Sequence, residues 1–446
     1  METVNLGLIG GGTVGGGVIR ALRRNGALMT SRLGVALHLR KVAVRDIKKH
    51  RDLELPRGVL TDDWSEAVND PSVHVVVELC GGTTVARDMV LTALKLGKPV
   101  VTANKALLSA HGPELFQTAA RHGANLYYEA SVAGGIPIIK VLRESLVGNR
   151  IISLHGILNG TCNYILTRMK LEGIEFSEAL AEAQRLGYAE AEPSLDVDGH
   201  DAAHKTGILA SLAHGFWINP GTIHTEGIRR ISRLDIQFAS QLGYTIKLLG
   251  VIKAMEAGPR KRRSGSGESA PRIQVAVYPA LIPNGHVLAS VNYAFNAISV
   301  RGDVVGDTLL YGRGAGADAT ASSVLSDLAD AALDLKHGSV ERVPCFVAHA
   351  SESRVTPMDA VASRYYLRLS VVDKPGVFAR ISTLLARAGI GISSIIQPEG
   401  HAGETVPVIL MIHDAPNAAM QKALRQISRL GVVRDEPVLI RVEPFE

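Results

Sequence analysis

The stretch that most limits what this chain can become lies at its start. Residues 4–9 (VNLGLI) read as a short buried strand that runs directly into Gly10-Gly11-Gly12-Thr13-Val14-Gly15, and the helical pattern GGVIRALRRNG follows. A G-x-G-x-x-G between a strand and a helix divides its labour among three glycines. Gly10 permits the tight turn, Gly12 lets the backbone approach a pyrophosphate, and Gly15 lets helix and strand pack closely. The helix N-terminus then offers unpaired N–H groups and a partial positive charge to phosphates. Gly10, Gly12, Thr13, Val14 and Gly15 are therefore the expected contacts of a dinucleotide.

Strands and helices alternate after this loop. Residues 36–44 form the second expected strand, 73–79 the third and 99–102 the fourth, with a helix over 85–96 and a short strand at 126–128. That order predicts a doubly wound parallel sheet whose ligand crevice lies at the carboxyl ends of the strands. The second strand ends at Arg45-Asp46, with Lys48, Lys49 and Arg51 beyond. A carboxylate there suits the ribose hydroxyls of NAD(H), whereas basic residues suit the 2′-phosphate of NADP(H). The signals are mixed, and Arg45 tips the expectation towards NADP(H) with NAD(H) kept open. Lys105 follows the fourth strand, where its amine can face a cofactor.

Length and composition bound the remainder. A chain of 446 residues has room for about three domains. Hydrophobic residues make up 46% and charged residues 20%, and no apolar run reaches the ~20 residues that span a bilayer. The formal charge is +5, but Arg260, Lys261, Arg262 and Arg263 supply most of that excess from one Gly/Ser/Pro-rich segment. No basic face with interleaved aromatics argues for nucleic acid. Cys80, Cys162 and Cys345 are isolated, without metal spacing or an even framework, and no basic n-region precedes the first apolar run; a reducing cytoplasm is expected.

The densest chemistry sits in GYAEAEPSLDVDGHDAAHK, from Gly187 to Lys205. It gathers Glu190, Glu192, Asp196, Asp198 and Asp201 ahead of one amine. Pro193 and Gly199 break regular helix there, so an irregular loop is expected to turn several acids towards one point before a helix resumes at Asp201. Asp201 and Lys205 then stand four apart on one helix face. Such a cluster suits a cationic substrate. A strand over 151–158 precedes it, as do a helix over 162–171 capped by Asn159-Gly160-Thr161 and a helix over 177–186 with Ser177 as N-cap. Beyond it, 229–236, 246–254, 272–278 and 292–300 read as strands of one largely antiparallel sheet. Near Glu129 the run EASVAGGIP contains a glycine turn whose backbone suits a hard monovalent cation or an anion nest, and the residues alone leave both open. Tyr311-Gly312-Arg313-Gly314-Ala315-Gly316 opens a helix over 320–335 that is expected to return to the nucleotide half.

With these motifs in order, the first 340 or so residues resemble homoserine dehydrogenase. The carriers are GGGTVGGGV, VTANKALL, EASVAGGIP, LNGTCNYIL, GYAEAEPSLDVDGHDAAHK and YGRGAGADAT. Glu192 departs from the resemblance, since the family more often has Asp, Asn or Ser before the proline. The resemblance implies reversible NAD(P)-dependent interconversion of L-aspartate 4-semialdehyde and L-homoserine on the way to threonine, methionine and isoleucine. It implies Lys205 as proton donor and Lys105 as the amine that stabilises developing charge and touches the cofactor. Glu190, Asp196 and Asp201 would bind the substrate ammonium or orient the lysine. A lysine in water, with pKa ~10.4, is charged at neutral pH, which suits an acid for aldehyde reduction and makes a poor base for alcohol oxidation. The resemblance also assigns a sodium-type site to the carbonyls of Glu129, Val132, Gly134 and Ile136, and cofactor contacts to Gly187 and Gly316.

The C-terminal residues follow a different plan. Strands over 365–372, 390–397, 406–413 and 438–442, with helices over 379–388 and 417–429, give the βαββαβ order of a ferredoxin-like fold. With DKPGVFARISTLLARAGIGI the segment is similar to an ACT domain, which implies a dimeric, amino-acid-binding regulatory module; L-threonine is the expected effector. The expected architecture is thus α/β. A Rossmann-type dinucleotide-binding domain spans 1–140, completed by 311–340. An α+β substrate and dimerisation domain spans 141–310, and a linker over 341–363 leads to the ACT domain at 364–446. The expected partners are a small-molecule substrate, an amino-acid effector and further copies of the chain in a dimer or tetramer, with no nucleic acid and no membrane. Two alternatives stand beside this reading: a non-catalytic amino-acid sensor, and a dehydrogenase for another amino acid aldehyde.

Overall fold

The computed structural model describes residues 2–49, 53, 55–255, 271–339, 342–350, 352–398, 401 and 403–445. Arg51 and the basic run 260–263 lie outside the described residues. The chain opens with β1 (Glu2–Ile9), α1 (Thr13–Leu33), β2 (Val35–Ala43), β3 (Leu60–Thr61), α2 (Trp64–Asn69), β4 (Val75–Glu78), α3 (Val85–Lys95), β5 (Val100–Thr102), α4 (Lys105–Arg121) and β6 (Leu126–Tyr127). It continues with α5 (Ile138–Lys140), β7 (Ile151–Ile157), α6 (Gly160–Glu172), α7 (Phe176–Arg185), α8 (Ser194–Val197), α9 (His200–His214), β8 (His224–Thr225), α10 (Arg233–Gln241), β9 (Tyr244–Met255), β10 (Arg272–Pro283), β11 (Phe295–Gly302), β12 (Gly306–Arg313) and α11 (Ala317–His337). The last elements are β13 (Arg354–Val355), β14 (Ala362–Val372), α12 (Val377–Arg387), β15 (Ile392–Ile396), β16 (Thr405–Pro416), α13 (Asn417–Ile427) and β17 (Val438–Val442).

Two compact units divide the chain. One comprises Met1–Ser153, His204–Gly221 and Asn296–Ser353, the other Leu154–Ala203, Thr222–Phe295 and Arg354–Glu446. In the first, six strands in the order β3-β2-β1-β4-β5-β6 pair in parallel throughout. Consecutive apolar residues build them, Val75, Val76 and Val77 being wholly buried, because helices cover both faces. Helix α11 lies against α1 and joins the same core through Ala321, Val324, Leu328 and Ala331. The contact is close at its start: a Cβ on Gly17 would come within 2.6 Å of the Ala317 carbonyl oxygen.

In the second unit the sheet runs β7-β9-β10-β17-β14-β16-β15. Its long pairings, β9 with β10 and β14 with β16, are antiparallel, while β10 pairs in parallel with β17, β8 and β13, so the sheet is mixed. The C-terminal β14-α12-β15-β16-α13-β17 forms the four-stranded order β17-β14-β16-β15 expected of a ferredoxin-like plan. This layer is not tethered by a bare linker. Strand β17 extends the sheet through Ala280↔Arg441 and Leu281↔Val442. Charge pairs with one buried partner each follow the same seam, Arg368 Nε to Asp235 Oδ1 at 2.7 Å and Arg441 Nη1 to Glu226 Oε2 at 2.8 Å.

Three local expectations are corrected. Residues 229–236 are not a strand: Ser232 and Asp235 form a reciprocal capping box that starts α10 at Arg233. Helix α7 begins at Phe176 with Glu175 as its cap residue, so Ser177 lies inside it. The acidic loop contains a short helix of its own, because the Pro193 carbonyl accepts the Asp196 and Val197 amides at 3.0 and 2.9 Å. Proline opens that turn as readily as it ends one.

Candidate functional site

The glycine loop in the first unit has the geometry its spacing implies. Gly10 adopts φ +107°, and its amide reaches the Ala43 carbonyl at 2.9 Å, tying the end of β1 to the end of β2. A Cβ on Gly10 would lie 2.5 Å from the Leu79 carbonyl oxygen, and one on Gly15 would lie 1.8 Å from the Gly10 oxygen. Gly12 is different: a Cβ there would meet nothing within 4 Å. It borders a cavity of ≈ 430 Å³ shared with Gly10, Thr13, Arg45, Lys49 and Asp62. Gly12 is also the cap residue of α1, with no side chain capping the first turn and no acid in it. The N-terminal amides of α1 are therefore available to an anion. Val14 points the other way, packed on the core.

At the end of β2 the mixed signal separates. Asp46 Oδ1 accepts the backbone amides of Lys48 at 2.9 Å and Lys49 at 3.2 Å, which commits the carboxylate to its own turn. Arg45 and Lys49 line the cavity, and Asp46 does not. At the far side, buried Glu78 organises the strand ends. Its Oε1 takes the amides of Cys80 and Gly81 at 2.9 and 3.1 Å, and its Oε2 takes Thr102 Oγ1 at 2.7 Å. Burial, reinforced by the Glu78 charge, pushes the Cys80 thiol up to about 12, so it is inert as a nucleophile. Asn104 caps α4 through Leu107 N and anchors to the Gly82 carbonyl at 2.7 Å, which sets Lys105 as the first residue of that helix. Glu78 and Asn104 went unnoticed in the sequence, although an acid and an amide at successive strand ends are a readable sign of such a brace.

The acidic loop, in the second unit, does not act as one cluster. Asn159 caps α6 by accepting Cys162 N at 2.8 Å, and its Nδ2 donates to both Asp196 Oδ1 at 2.7 Å and Asp201 Oδ2 at 2.8 Å. One amide thus holds the two carboxylates together, and Asp201 is only 5% exposed. Two of the remaining acids hold other groups. Glu192 binds the Ser194 amide at 3.1 Å as well as its hydroxyl, acting as a local brace for α8. Asp198 takes both Nε and Nη2 of Arg229, at 2.5 and 3.2 Å. Glu190 is exposed, with its carbonyl accepting Gln184 Nε2 at 3.1 Å. Gly187, at φ +76°, ends α7 in this unit. Lys205 is buried on α9, one turn after Asp201, and belongs to the first unit with Lys105.

The run after β6 is braced from within. Glu129 is buried, and its carboxylate accepts the Ile139 and Lys140 amides at 2.9 and 2.7 Å, capping α5. Burial outweighs those bonds and raises it to about 7. Ala133 and Gly134 both take positive φ, +55° and +46°. Of the four carbonyls assigned to a cation, that of Gly134 accepts Ser323 Oγ at 2.5 Å, that of Ile136 the Ile138 amide at 2.8 Å, and that of Glu129 the Val132 amide at 3.4 Å. Each carbonyl keeps a second lone pair. No group of three metal-binding side chains occurs among the described residues. Gly316 takes φ +120° before α11, with open space where a Cβ would be.

Comparison with known proteins matches the same regions. The homoserine dehydrogenase NAD-binding model covers residues 10–129, the homoserine dehydrogenase model 137–329, and the ACT domain model 365–429. The chain is 42% identical to a homoserine dehydrogenase of Pseudomonas aeruginosa and 41% identical to one of Neisseria gonorrhoeae, each over 99% of both chains. Among solved structures, a homoserine dehydrogenase from Thiobacillus denitrificans superposes with a TM-score of 0.90 at 41% identity, covering 99% of both chains. A hyperthermophilic archaeal homoserine dehydrogenase solved with NADPH gives 0.61 at 26% identity, over 75% of this chain and 98% of its own. The chain belongs to the homoserine dehydrogenase family, oxidoreductases with a nucleotide-binding domain, and carries an ACT domain at its C-terminal end.

Proposed function

We propose that the chain interconverts L-aspartate 4-semialdehyde and L-homoserine with NADP(H) as preferred cofactor, with Lys205 transferring the proton and L-threonine inhibiting through the ACT domain. The observation that carries the substrate reading is Asn159, whose single amide joins Asp196 and Asp201 at the entry to the helix bearing Lys205. Two carboxylates held by a neutral donor keep acceptor capacity for an ammonium group. Glu190 is the third candidate for that contact. A bound nicotinamide dinucleotide supplies or accepts the hydride. In the reducing direction Lys205 donates a proton to the carbonyl oxygen, and in the oxidising direction the neutral amine removes it from the hydroxyl. Lys105 stabilises the negative charge that develops on that oxygen.

The cofactor preference is supported by Arg45 and Lys49 on the cavity wall while Asp46 is engaged with its own turn. The archaeal relative solved with NADPH agrees with it. Gly10, Gly12, Thr13, Val14 and Gly15 would hold the pyrophosphate, with Lys105, Gly187 and Gly316 as further contacts. A sodium-type ion on the carbonyls of Glu129, Val132, Gly134 and Ile136 would use the lone pairs their internal bonds leave over. No helix among the described residues is long and apolar enough to cross a membrane. We place the enzyme in the cytoplasm because Cys80, Cys162 and Cys345 are isolated in sequence, with neither metal spacing nor an even framework.

Comparing L-homoserine with 4-hydroxybutyrate, the same alcohol without its amino group, tests the ammonium recognition. We expect kcat/KM to fall by about 10²-fold or more without the amine, as for a site left with unpaired buried polar groups. Asp196→Asn should narrow that gap. Equal turnover of the two alcohols would remove the reading.

A further inference from the structure

We propose that the cavity where α13 and β17 meet residues 226–231 is the binding site of the regulatory amino acid. This placement rests on the reading of the ACT domain as an amino-acid-binding regulator. The cavity measures ≈ 380 Å³, and all of it lies inside the second unit. Pockets of a few hundred Å³ suit small ligands. On one side stand Gln421 and Leu424 of α13 with Val438 of β17, and on the other stand Asp198, Glu226 and Arg230.

This chemistry matches a zwitterion with a short side chain. Arg230 pairs with Glu436, and the two side chains are 64% and 69% exposed. Such a surface pair contributes little, so a ligand carboxylate can replace Glu436 at small cost. Asp198 and Glu226 can receive the ammonium. Glu226 already accepts His224 Nε2 at 2.6 Å and Arg441 Nη1 at 2.8 Å, and a carboxylate has about four acceptor positions in all. Ile231, Leu424 and Val438 supply apolar surface for the side chain.

The cavity wall is also the back of the acidic loop. The Ile228 amide binds the Val197 carbonyl at 2.8 Å, and a Cβ on Gly227 would lie 2.2 Å from that same oxygen. Arg229 clamps Asp198 and donates to Ser194 Oγ at 2.8 Å, so it holds both ends of α8. That helix carries Asp196, the carboxylate tied to Asp201 through Asn159. A ligand ammonium that shares Asp198 with Arg229 alters the contacts that set α8. Its effect should therefore fall on the KM for homoserine and spare the KM for the cofactor.

The test uses the full chain, with calorimetric titration of L-threonine and a panel of other small L-amino acids, and with homoserine oxidation followed in parallel. The wild type is compared with Arg230→Glu and Gln421→Trp, each against its own rate without effector. Arg230→Glu reverses a largely exposed charge, and Gln421→Trp fills the cavity from the helix side. In the wild type one amino acid should bind and raise the KM for homoserine. Both variants should weaken its binding by about tenfold or more, the loss expected for one charge-assisted hydrogen bond. If the wild type binds an amino acid and both variants keep its affinity within about twofold, the seam placement is overturned while the regulatory reading stands. If no amino acid binds the wild type, both are overturned.

Discussion

Arg45 and Asp46 are neighbours in sequence and opposites in use. The aspartate caps its own turn through the Lys48 and Lys49 amides, whereas the arginine reaches the cavity wall. Arg45→Ala should therefore raise the KM for NADP+ by about 10- to 100-fold, the range of a charge-assisted hydrogen bond to phosphate, and leave that for NAD+ within about twofold. Equal effects on the two cofactors in initial-rate measurements would show that Arg45 does not read the 2′-phosphate. The acidic loop teaches a related lesson. Its carboxylates were legible as a group, but their division was not, because the partners that divide them are distant: Asn159 is 37 residues from Asp196, and Arg229 is 31 from Asp198. Glu192, the departure from the family pattern, now has a specific task in holding Ser194. Sequence spacing shows which acids crowd together, and only the fold shows which are already neutralised.

Elements with strong local signals came through with their type intact. The strand, glycine turn and helix of the nucleotide loop are one example, since a close-packed turn leaves little choice of residue. Gly15→Ala puts a methyl 1.8 Å from the Gly10 oxygen, and backbone must move to admit it. Cofactor binding should weaken by at least about tenfold while the fold persists, as fluorescence titration and circular dichroism would show; unchanged affinity would mean that the loop does not carry the pyrophosphate. Helix α10 stands where a strand is expected because the reciprocal Ser232–Asp235 capping box starts a helix there. Strand β9 hides a feature that no pattern reveals. The Lys247 amine is buried, donates to Asn163 Oδ1 at 2.9 Å and Val291 O at 2.5 Å, and is drawn down to about 7 by burial. A lowered folded-state value means that its contribution is fully present above the unfolded value of ~10.5, shrinks as pH falls and is gone below about 7. Between pH 6.5 and 9.5 the wild type should thus gain about 3 kcal/mol relative to Lys247→Met in urea unfolding. Parallel stability curves would contradict that assignment.

At the scale of the whole molecule, the C-terminal layer is built into the second unit. Its order of elements was plain from the sequence, since each helix and strand carries its own period. Its attachment was hidden, because β17 pairs with β10 across more than 150 residues of chain, and only two residue pairs make the ladder. Glu443 shows the consequence: it accepts Tyr278 OH at 2.7 Å and Lys253 Nζ at 2.5 Å. Ending the chain at Val361 would take Arg368 from buried Asp235 and Glu443 from buried Tyr278, and a loss of ~3–5 kcal/mol for a broken buried charge pair is enough to unfold a marginally stable domain. Residues 1–361 alone should be insoluble or melt well below the full chain; a soluble, equally stable fragment would show that the layer is a detachable module. The proposed reaction calls on the nucleotide cavity, the bridged acids and the lysine on α9. The measurement that tests it most directly is initial-rate oxidation of L-homoserine at alkaline pH, followed as NADPH absorbance, for wild type beside Lys205→Ala. Homoserine-dependent NADPH formation that falls by about 10²- to 10⁴-fold in the variant, with cofactor affinity retained, is the predicted result. A variant that turns over at the wild-type rate would contradict the role of Lys205, and a wild type inert towards homoserine with either cofactor would contradict the account as a whole.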